Sequence, residues 1–162
     1  MAEQILTNRT NWVSALKILP FKELLAITDE LSTDWTLRPK SIPQSGLGML
    51  KIKESAFNEQ FYIGEFCLSS AWLEVTTPDG QVAEGAAQVM DDRVELADAL
   101  ALCDAILSAQ LPGWQKISNM VERGLTIHES TNKERKQMLA RTKVDFSLLD
   151  DANNKADDHV SN

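Results

Sequence analysis

Nucleophilic or metal chemistry in this chain would depend on two cysteines and two histidines, since the sequence has no others. Cys67 and Cys103 stand outside any Cys-x-x-Cys or Cys/His spacing, so neither indicates a zinc site. Catalysis by a Ser/His/Asp or Cys/His set would require His128 beside a distant serine or cysteine, and no nucleophile motif accompanies it, while His159 falls in a polar tail. The sequence therefore predicts no catalytic residue. An enzyme that acts alone is kept as a third hypothesis.

Two further segments could in principle bind a metal or a phosphate. Asp92 is a suitable N-cap for the apolar helix that follows it, and Asp91 and Glu95 lie where negative charge offsets the helix dipole. A metal site would need a histidine or a third acid at ligand spacing. Residues 45–48, Ser-Gly-Leu-Gly, precede a strand and lack the GxxxxGK[ST] pattern of a phosphate loop. We predict capping at the first segment, a turn or close backbone approach at the second, and no metal or cofactor bound by this chain.

The composition limits the class of protein before any motif does. At 162 residues and 43% hydrophobic, the chain is long enough for one domain with its own core. A net charge of −8 argues against tight binding to nucleic acid or to an anionic membrane, because both require a basic face. No apolar run reaches 18 residues, and the N-terminus does not resemble a secretory signal. These observations predict a cytoplasmic protein with two reduced thiols.

The elements that must position any site are organised around residues 60–104. Residues 60–77 and 81–89 have the β-branched, aromatic and partly alternating pattern of strands, and Pro78, Asp79 and Gly80 between them form a turn. Helical spacing follows from Val94 onward, with apolar side chains on nearly every face. This pattern predicts an antiparallel hairpin packed on a central buried helix. We also predict that this helix contacts a second protein, because its apolar surface extends all round.

The flanking segments complete the predicted fold. Two short helices meet at Pro20, and Trp12 in the first is either a core anchor or an interface anchor, with the core role favoured. Residues 32–44 contain two prolines and are predicted to be a packed loop, followed by a short strand over 49–54.

The C-terminal part is predicted as an arm and a tail. Gly124 is predicted to separate a helical segment from an extended one, and Thr131 with Glu134 forms a capping box for a short basic helix. That basic face is either a solvated surface or a contact for an acidic or phosphate-bearing partner. The fold class is thus α+β: an antiparallel sheet of about four strands with N-terminal helices, a central buried helix and a C-terminal helical arm. Residues 1–149 form one domain and residues 150–162 a disordered acidic tail.

Six short motifs follow one another between about residues 8 and 149. They are Arg9 and Trp12 of an Arg-x-x-Trp helix, Gly46 in a glycine-bearing turn, Gly64 and Glu65 after Phe61, Asp79-Gly80, Asp104 in Ala-Leu-x-Asp-Ala, and Thr142, Lys143, Val144, Asp145 and Phe146, which match Thr-Arg-Val-Asp-Phe. In this order they resemble the family of the G subunit of the phosphonate carbon–phosphorus lyase system, PhnG. Two places depart from the family pattern: residues 90–95 lack the usual Gly-Arg-Asp, and Ser69-Ser70 replaces a frequent Thr-Arg.

The resemblance implies an accessory subunit of phosphonate catabolism with no catalytic residue of its own. In that family the G subunit joins H, I and J subunits in a complex with two copies of each. The complex uses a nucleoside triphosphate and an alkylphosphonate to form ribose 1-phosphonate 5-triphosphate, and the nucleosidase-like I subunit is the most direct partner. An iron–sulfur cluster and S-adenosylmethionine belong to the J subunit, which cleaves the carbon–phosphorus bond. The alternative is a homodimeric domain that binds a small molecule, with a cavity lined by Trp35, Trp72 and Cys103.

Phe146 and Val144 give the sharpest prediction for a single segment. They follow a charged helix, where a lone domain would have no further layer to cover them. We therefore predict that residues 142–146 dock on a partner chain or cross to a dimer mate.

Overall fold

A computed structural model describes residues 9–141 and confirms the α+β class. The described part contains a three-stranded antiparallel sheet, where about four strands were predicted, because residues 36–53 form one long strand. In chain order the elements are a 3-10 turn (Arg9–Asn11), α1 (Trp12–Lys17), α2 (Phe21–Ser32), β1 (Thr36–Lys53), β2 (Gln60–Thr76), β3 (Val82–Val89), α3 (Val94–Ser108) and α4 (Trp114–Arg141). Residues up to His128 form one compact unit, and those from Glu129 form a second.

The sheet has the order β1-β2-β3, and its strands differ greatly in length. The predicted hairpin of β2 and β3 is present: the Thr77 N–H donates to the Gln81 carbonyl at 2.9 Å, and Gly80 has a φ of 84°. β3 pairs with β2 only along the segment that begins at Ser69, whereas β1 and β2 stay paired down to Lys53 and Gln60. The first two strands therefore extend well beyond the third.

The loop predicted over residues 32–44 is wrong, because most of this segment belongs to β1. Pro39 lies opposite Leu73, and the register shifts between Pro39 and Ser41 and again between Ser41 and Gln44. β1 is an edge strand, and an edge strand tolerates proline because half of its N–H groups need no ladder partner. The two prolines thus produce bulges and do not end the strand.

The core lies between one face of the sheet and α3. Alternate residues of β3 are buried, and eleven residues of α3 are buried. Gly85 lets the sheet approach closely, because a Cβ at that position would lie 2.0 Å from the Ala101 carbonyl oxygen. Residues of α1, α2 and α4 join the same core cluster, among them Trp12 at 3% exposure. The core role favoured for Trp12 is confirmed, and the second protein predicted to cover α3 is not needed, since this chain covers the helix itself.

The helix α4 differs from its prediction. It runs without interruption from Trp114 to Arg141, so Gly124 does not break it and Thr131 does not begin a new helix. A Cβ at residue 124 would lie 2.1 Å from the Ala15 carbonyl oxygen, so this glycine allows α1 and α4 to pack closely.

The start of α3 also differs, because Arg93 and not Asp92 occupies the N-cap position. The Asp91 carboxylate accepts the Arg93 backbone N–H at 3.1 Å and two guanidinium N–H groups at 2.7 Å each. The Arg93 side chain therefore holds the pKa of Asp91 well below its usual value. Asp91 thus orders the entry to the helix from outside it.

Candidate functional site

Arg9 and Asp104, two of the residues that match family motifs, form one ion pair although they are 95 positions apart. The guanidinium Nε donates to Asp104 Oδ1 at 2.7 Å, and Nη2 donates to Oδ2 at 2.5 Å. The carboxylate also accepts the backbone N–H of Ala86 at 2.9 Å. Hydrogen bonding to Asp104 raises the pKa of Arg9, which stays charged. We call these three residues the edge node.

The edge node fastens the N-terminal turn to the outer edge of β3. Within residues 9–141, β3 has a strand neighbour on one side only, and the Ala86 N–H on the other side is satisfied by Asp104. Lys17 of α1 adds a second tie, since its Nζ donates to the carbonyl of Met90 just after β3. The Asp104 side chain is 8% exposed, whereas that of Arg9 is 60% exposed. The edge node supplies hydrogen-bond donors to a buried carboxylate and covers part of a strand edge. Its role is therefore to stabilise the fold.

A second group of family-motif residues lies on the projecting part of the β1–β2 hairpin. We call this projection, residues 44–68, the arm. Gly46 is on its first strand, and Gly64 and Glu65 are on its second. Its turn is closed by a hydrogen bond from the Glu54 N–H to the Glu59 carbonyl at 2.9 Å. Among the described residues the arm has no third strand, because β3 pairs with β2 only from Ser69 onward.

The arm exposes many large apolar side chains on both of its faces. Phe57 at the tip is 79% exposed, and Leu47 in the first strand is 68% exposed. A two-stranded hairpin is marginally stable in water, and exposed apolar patches of this kind are typical of surfaces that bind another molecule. The other exposed apolar residues of the arm are Met49, Leu50, Ile52, Phe61, Tyr62 and Ile63.

The sheet face opposite α3 is polar where β3 is present. Lys40 Nζ lies 2.9 Å from Glu84 Oε1 and 5.7 Å from the centre of the Trp72 ring. The Trp72 indole N–H donates to Glu84 Oε2 at 3.1 Å. The ion pair lowers the pKa of Glu84 and raises that of Lys40. These side chains satisfy one another, so the uncovered apolar surface is concentrated on the arm.

The small-molecule cavity expected from Trp35, Trp72 and Cys103 is not formed. Trp72 lies on the sheet face opposite α3, and Cys103 is fully buried in α3. Burial raises the pKa of the Cys103 thiol to about 12, so it is a poor nucleophile. Both cysteines are free thiols. A shallow cavity of about 280 Å³ does lie between α2, the sheet and α3, with Leu25, Leu73 and Leu102 among its lining.

The remaining predicted site residues fall outside these two groups. Thr142, Lys143, Val144, Asp145 and Phe146 lie outside the described residues. The strand predicted over residues 49–54 lies within the arm, but the prediction missed that the arm projects without cover, although the signal for this was present. Residues 47–52, Leu-Gly-Met-Leu-Lys-Ile, carry apolar side chains on both faces of a strand, as strands covered on both sides do.

Comparison with known proteins identifies a family over most of the chain. A family model described as phosphonate metabolism protein PhnG matches residues 7–150. No curated protein matches the chain. Among residues 9–141, no helix is long and apolar enough to cross a membrane. In the same part of the chain, no group of three or more His, Cys, Asp or Glu side chains could hold a metal ion.

Proposed function

Because the chain belongs to the PhnG family of phosphonate metabolism proteins, we propose that it is an accessory subunit of a carbon–phosphorus lyase core complex. The complex would form ribose 1-phosphonate 5-triphosphate from a nucleoside triphosphate and an alkylphosphonate. This chain would contribute contacts between subunits, while the transferase and lyase chemistry would belong to its partners. The family match supports the role in phosphonate metabolism, and the arm supports the role in assembly.

The arm is the single structural observation that carries the assembly role. It places apolar side chains on two faces, and the described chain supplies no layer over either face. Covering them would remove apolar surface from water, which drives most protein association. The edge node supports the same division of labour, because Arg9 and Asp104 bind each other and a backbone N–H. The proposed partners are the H, I and J subunits, with the nucleosidase-like I subunit in direct contact.

We propose that the iron–sulfur cluster, S-adenosylmethionine and the nucleoside triphosphate bind to other subunits of the complex and not to this chain. An iron–sulfur cluster is held by about three or four thiolates. This chain has two cysteines, one exposed on the arm and the other buried in α3. Two cysteines so placed do not suit such a cluster, and we propose that the cluster and S-adenosylmethionine belong to the J subunit, as the family resemblance implies. The nucleoside triphosphate would bind within the complex, at the nucleosidase-like subunit.

Co-expression with the nucleosidase-like subunit tests the proposal. The tagged wild-type chain is expected to co-purify with that subunit in a fixed ratio. A shortened variant, in which an Asn-Gly turn replaces residues 48–66, keeps the pair of Leu47 and Cys67 as its last cross-strand pair. This variant is expected to fold but to lose the partner. Val82→Glu is the matched control, because Val82 is 60% exposed but lies outside the arm.

Two results would contradict the proposal. A wild-type chain that does not bind the nucleosidase-like subunit would remove the assembly role. Co-purification of the shortened variant at the wild-type ratio would show that the arm is not the contact. Circular dichroism of both variants separates loss of binding from loss of folding.

A further inference from the structure

Three glycines of the arm occupy positions on the same face of the sheet. Gly46 pairs with Leu68, Gly48 with Phe66, and Leu50 with Gly64. Ser69 and Ala71 of β2 are buried toward α3, so Leu68, Phe66 and Gly64, at alternate positions, face the other way. Ile52 lies on this side by alternation along β1, and the register shift after Leu50 brings its partner Phe61 to the same side. We call this surface the open face: Gly46, Gly48, Leu50, Ile52, Phe61, Gly64, Phe66 and Leu68.

Two of these glycines are not explained by any packing contact within residues 9–141. At Gly48 an added Cβ would lie 2.5 Å from the Phe66 ring, so that ring requires the glycine. Leaving out the two residues next to each glycine in the chain, no heavy atom of the described residues lies within 4 Å of such a Cβ at Gly46 or Gly64, and neither glycine has a positive φ. Glycine weakens a strand, and in a strand it often marks a place where another molecule approaches closely. Gly46 and Gly64 thus leave two depressions that nothing described in this chain fills.

The open face has a pattern of large and small residues that complements itself. Each depression lies beside a leucine on the neighbouring strand, Leu68 beside Gly46 and Leu50 beside Gly64. A twofold axis parallel to the strands would lay β1 of one copy over β2 of the other. Leu68 would then face Gly46 of the second copy, and Leu50 would face Gly64. Facing layers pack well when large side chains meet small ones in this way.

The charges also favour this face for contact between copies. No charged side chain lies on it between the pair of Gln44 and Ser70 and the pair of Ile52 and Phe61. Two chains of net charge −8 can therefore approach here without burying an unpaired charge. The opposite face of the arm carries Glu65, which two copies would have to desolvate.

We propose that the open face is a docking surface for a second copy of this chain. This goes beyond the proposed function, because it requires no other subunit. The surface is roughly 20 Å long and two strands wide, from four cross-strand pairs about 6.7 Å apart. Contacts of this size are at the small end of specific interfaces, so we expect a dissociation constant on the order of micromolar.

The test measures the mass of the full chain by light scattering across about 1 to 200 µM. The wild-type mass is expected to rise from 18.0 kDa toward twice that value. Leu50→Glu is expected to weaken dimerisation at least about tenfold, because it places a charge on the open face. Met49→Glu is the matched control: the residue is adjacent and similarly exposed, at 57% against 48%, but lies on the opposite face, so the dimer should persist.

A size exchange tests the geometry itself. Gly64→Leu fills a depression and is expected to weaken the dimer by a similar factor. Adding Leu50→Gly in the same chain exchanges large and small across the interface, and dimerisation should recover. Thermal melting of each variant controls for folding.

A wild-type chain that stays monomeric over the whole range would overturn the proposal. So would equal loss of the dimer in Leu50→Glu and Met49→Glu. If the wild type is monomeric and Leu50→Glu abolishes binding of the nucleosidase-like subunit, the open face belongs to that subunit. The self-docking proposal then fails while the proposed function stands.

Discussion

The edge node gives a quantitative prediction about two residues that match the family motifs. Asp104→Ala removes the carboxylate that accepts the Ala86 N–H in a part-buried hydrogen bond, and a hydrogen bond to a charged group contributes about 1.5–3 kcal/mol. It also removes two hydrogen bonds to Arg9, which is 60% exposed and returns to water, so this loss adds only about 1 kcal/mol. We expect Asp104→Ala to lower the free energy of unfolding by about 3 kcal/mol.

Milder substitutions separate the two contributions. Asp104→Asn keeps an oxygen for the Ala86 N–H and loses the charge, so its expected cost is about 1–2 kcal/mol. Arg9→Ala leaves a mostly buried carboxylate without its counter-ion, at a similar expected cost of about 1–2 kcal/mol. The double variant, Arg9→Ala with Asp104→Asn, should lower the free energy of unfolding little more than either single substitution does, because each removes the same interaction. The expected coupling energy is therefore about 1 kcal/mol.

Urea unfolding followed by circular dichroism measures the free energy of unfolding of the wild type, the three single variants and the double variant. For a chain of this size, 1 kcal/mol corresponds to a change of about 2–4 °C in melting temperature. Additivity of the two single substitutions within about 0.3 kcal/mol would refute the reasoning, because it would show that Arg9 and Asp104 act independently. A second refutation would be Asp104→Asn with wild-type stability but no assembly, which would make the residue part of the interface.

The remaining predictions concern packing, thiols and the C-terminal segment. Gly85→Ala should cost about 1–3 kcal/mol in a melt of the isolated chain, because its methyl group would meet a backbone carbonyl of α3. Gly64→Ala, measured below the concentration of dimerisation, should be neutral or stabilise by about 0.5–1 kcal/mol. Iodoacetamide at pH 8 should modify Cys67 in the native chain and Cys103 only after unfolding, as mass spectrometry would show. Because burial raises the pKa of Cys103 from 9.0 to about 12, its stabilising effect is complete below pH 9 and is lost as the pH rises toward 12. Phe146→Ala should weaken assembly by about 2–4 kcal/mol, and an unchanged dissociation constant for the complex would contradict this.

The features that sequence predicted correctly depend on local chemistry. The turn at Pro78, Asp79 and Gly80 was readable because each residue type favours that backbone by itself. The two short helices that meet at Pro20 were readable for a similar reason, since helical spacing appears within a few residues. The core role was favoured for Trp12, and the residue is 3% exposed.

The errors arise where a distant part of the chain decides the local structure. Gly124 ends many helices, but here it lies inside one because the Ala15 carbonyl occupies the space of a side chain. The prolines of β1 indicated a loop, but β1 lies at an edge where β2 can pair around them. The contact between Arg9 and Asp104 could not be predicted either. Both residues were identified from family motifs, but nothing in their local sequence indicates that they form an ion pair.

The apolar surface that needs a partner was predicted on the wrong element. A helix that is apolar all round needs covering on every side, and here the sheet, α1, α2 and α4 supply that cover. The same argument applies to a strand that is apolar on both faces, as residues 47–52 are. For that strand the described chain supplies no layer, since β3 begins its pairing at Ser69 and α3 packs only where β3 does. Apolar content therefore indicates that cover is needed, and only the topology shows which element the chain leaves uncovered.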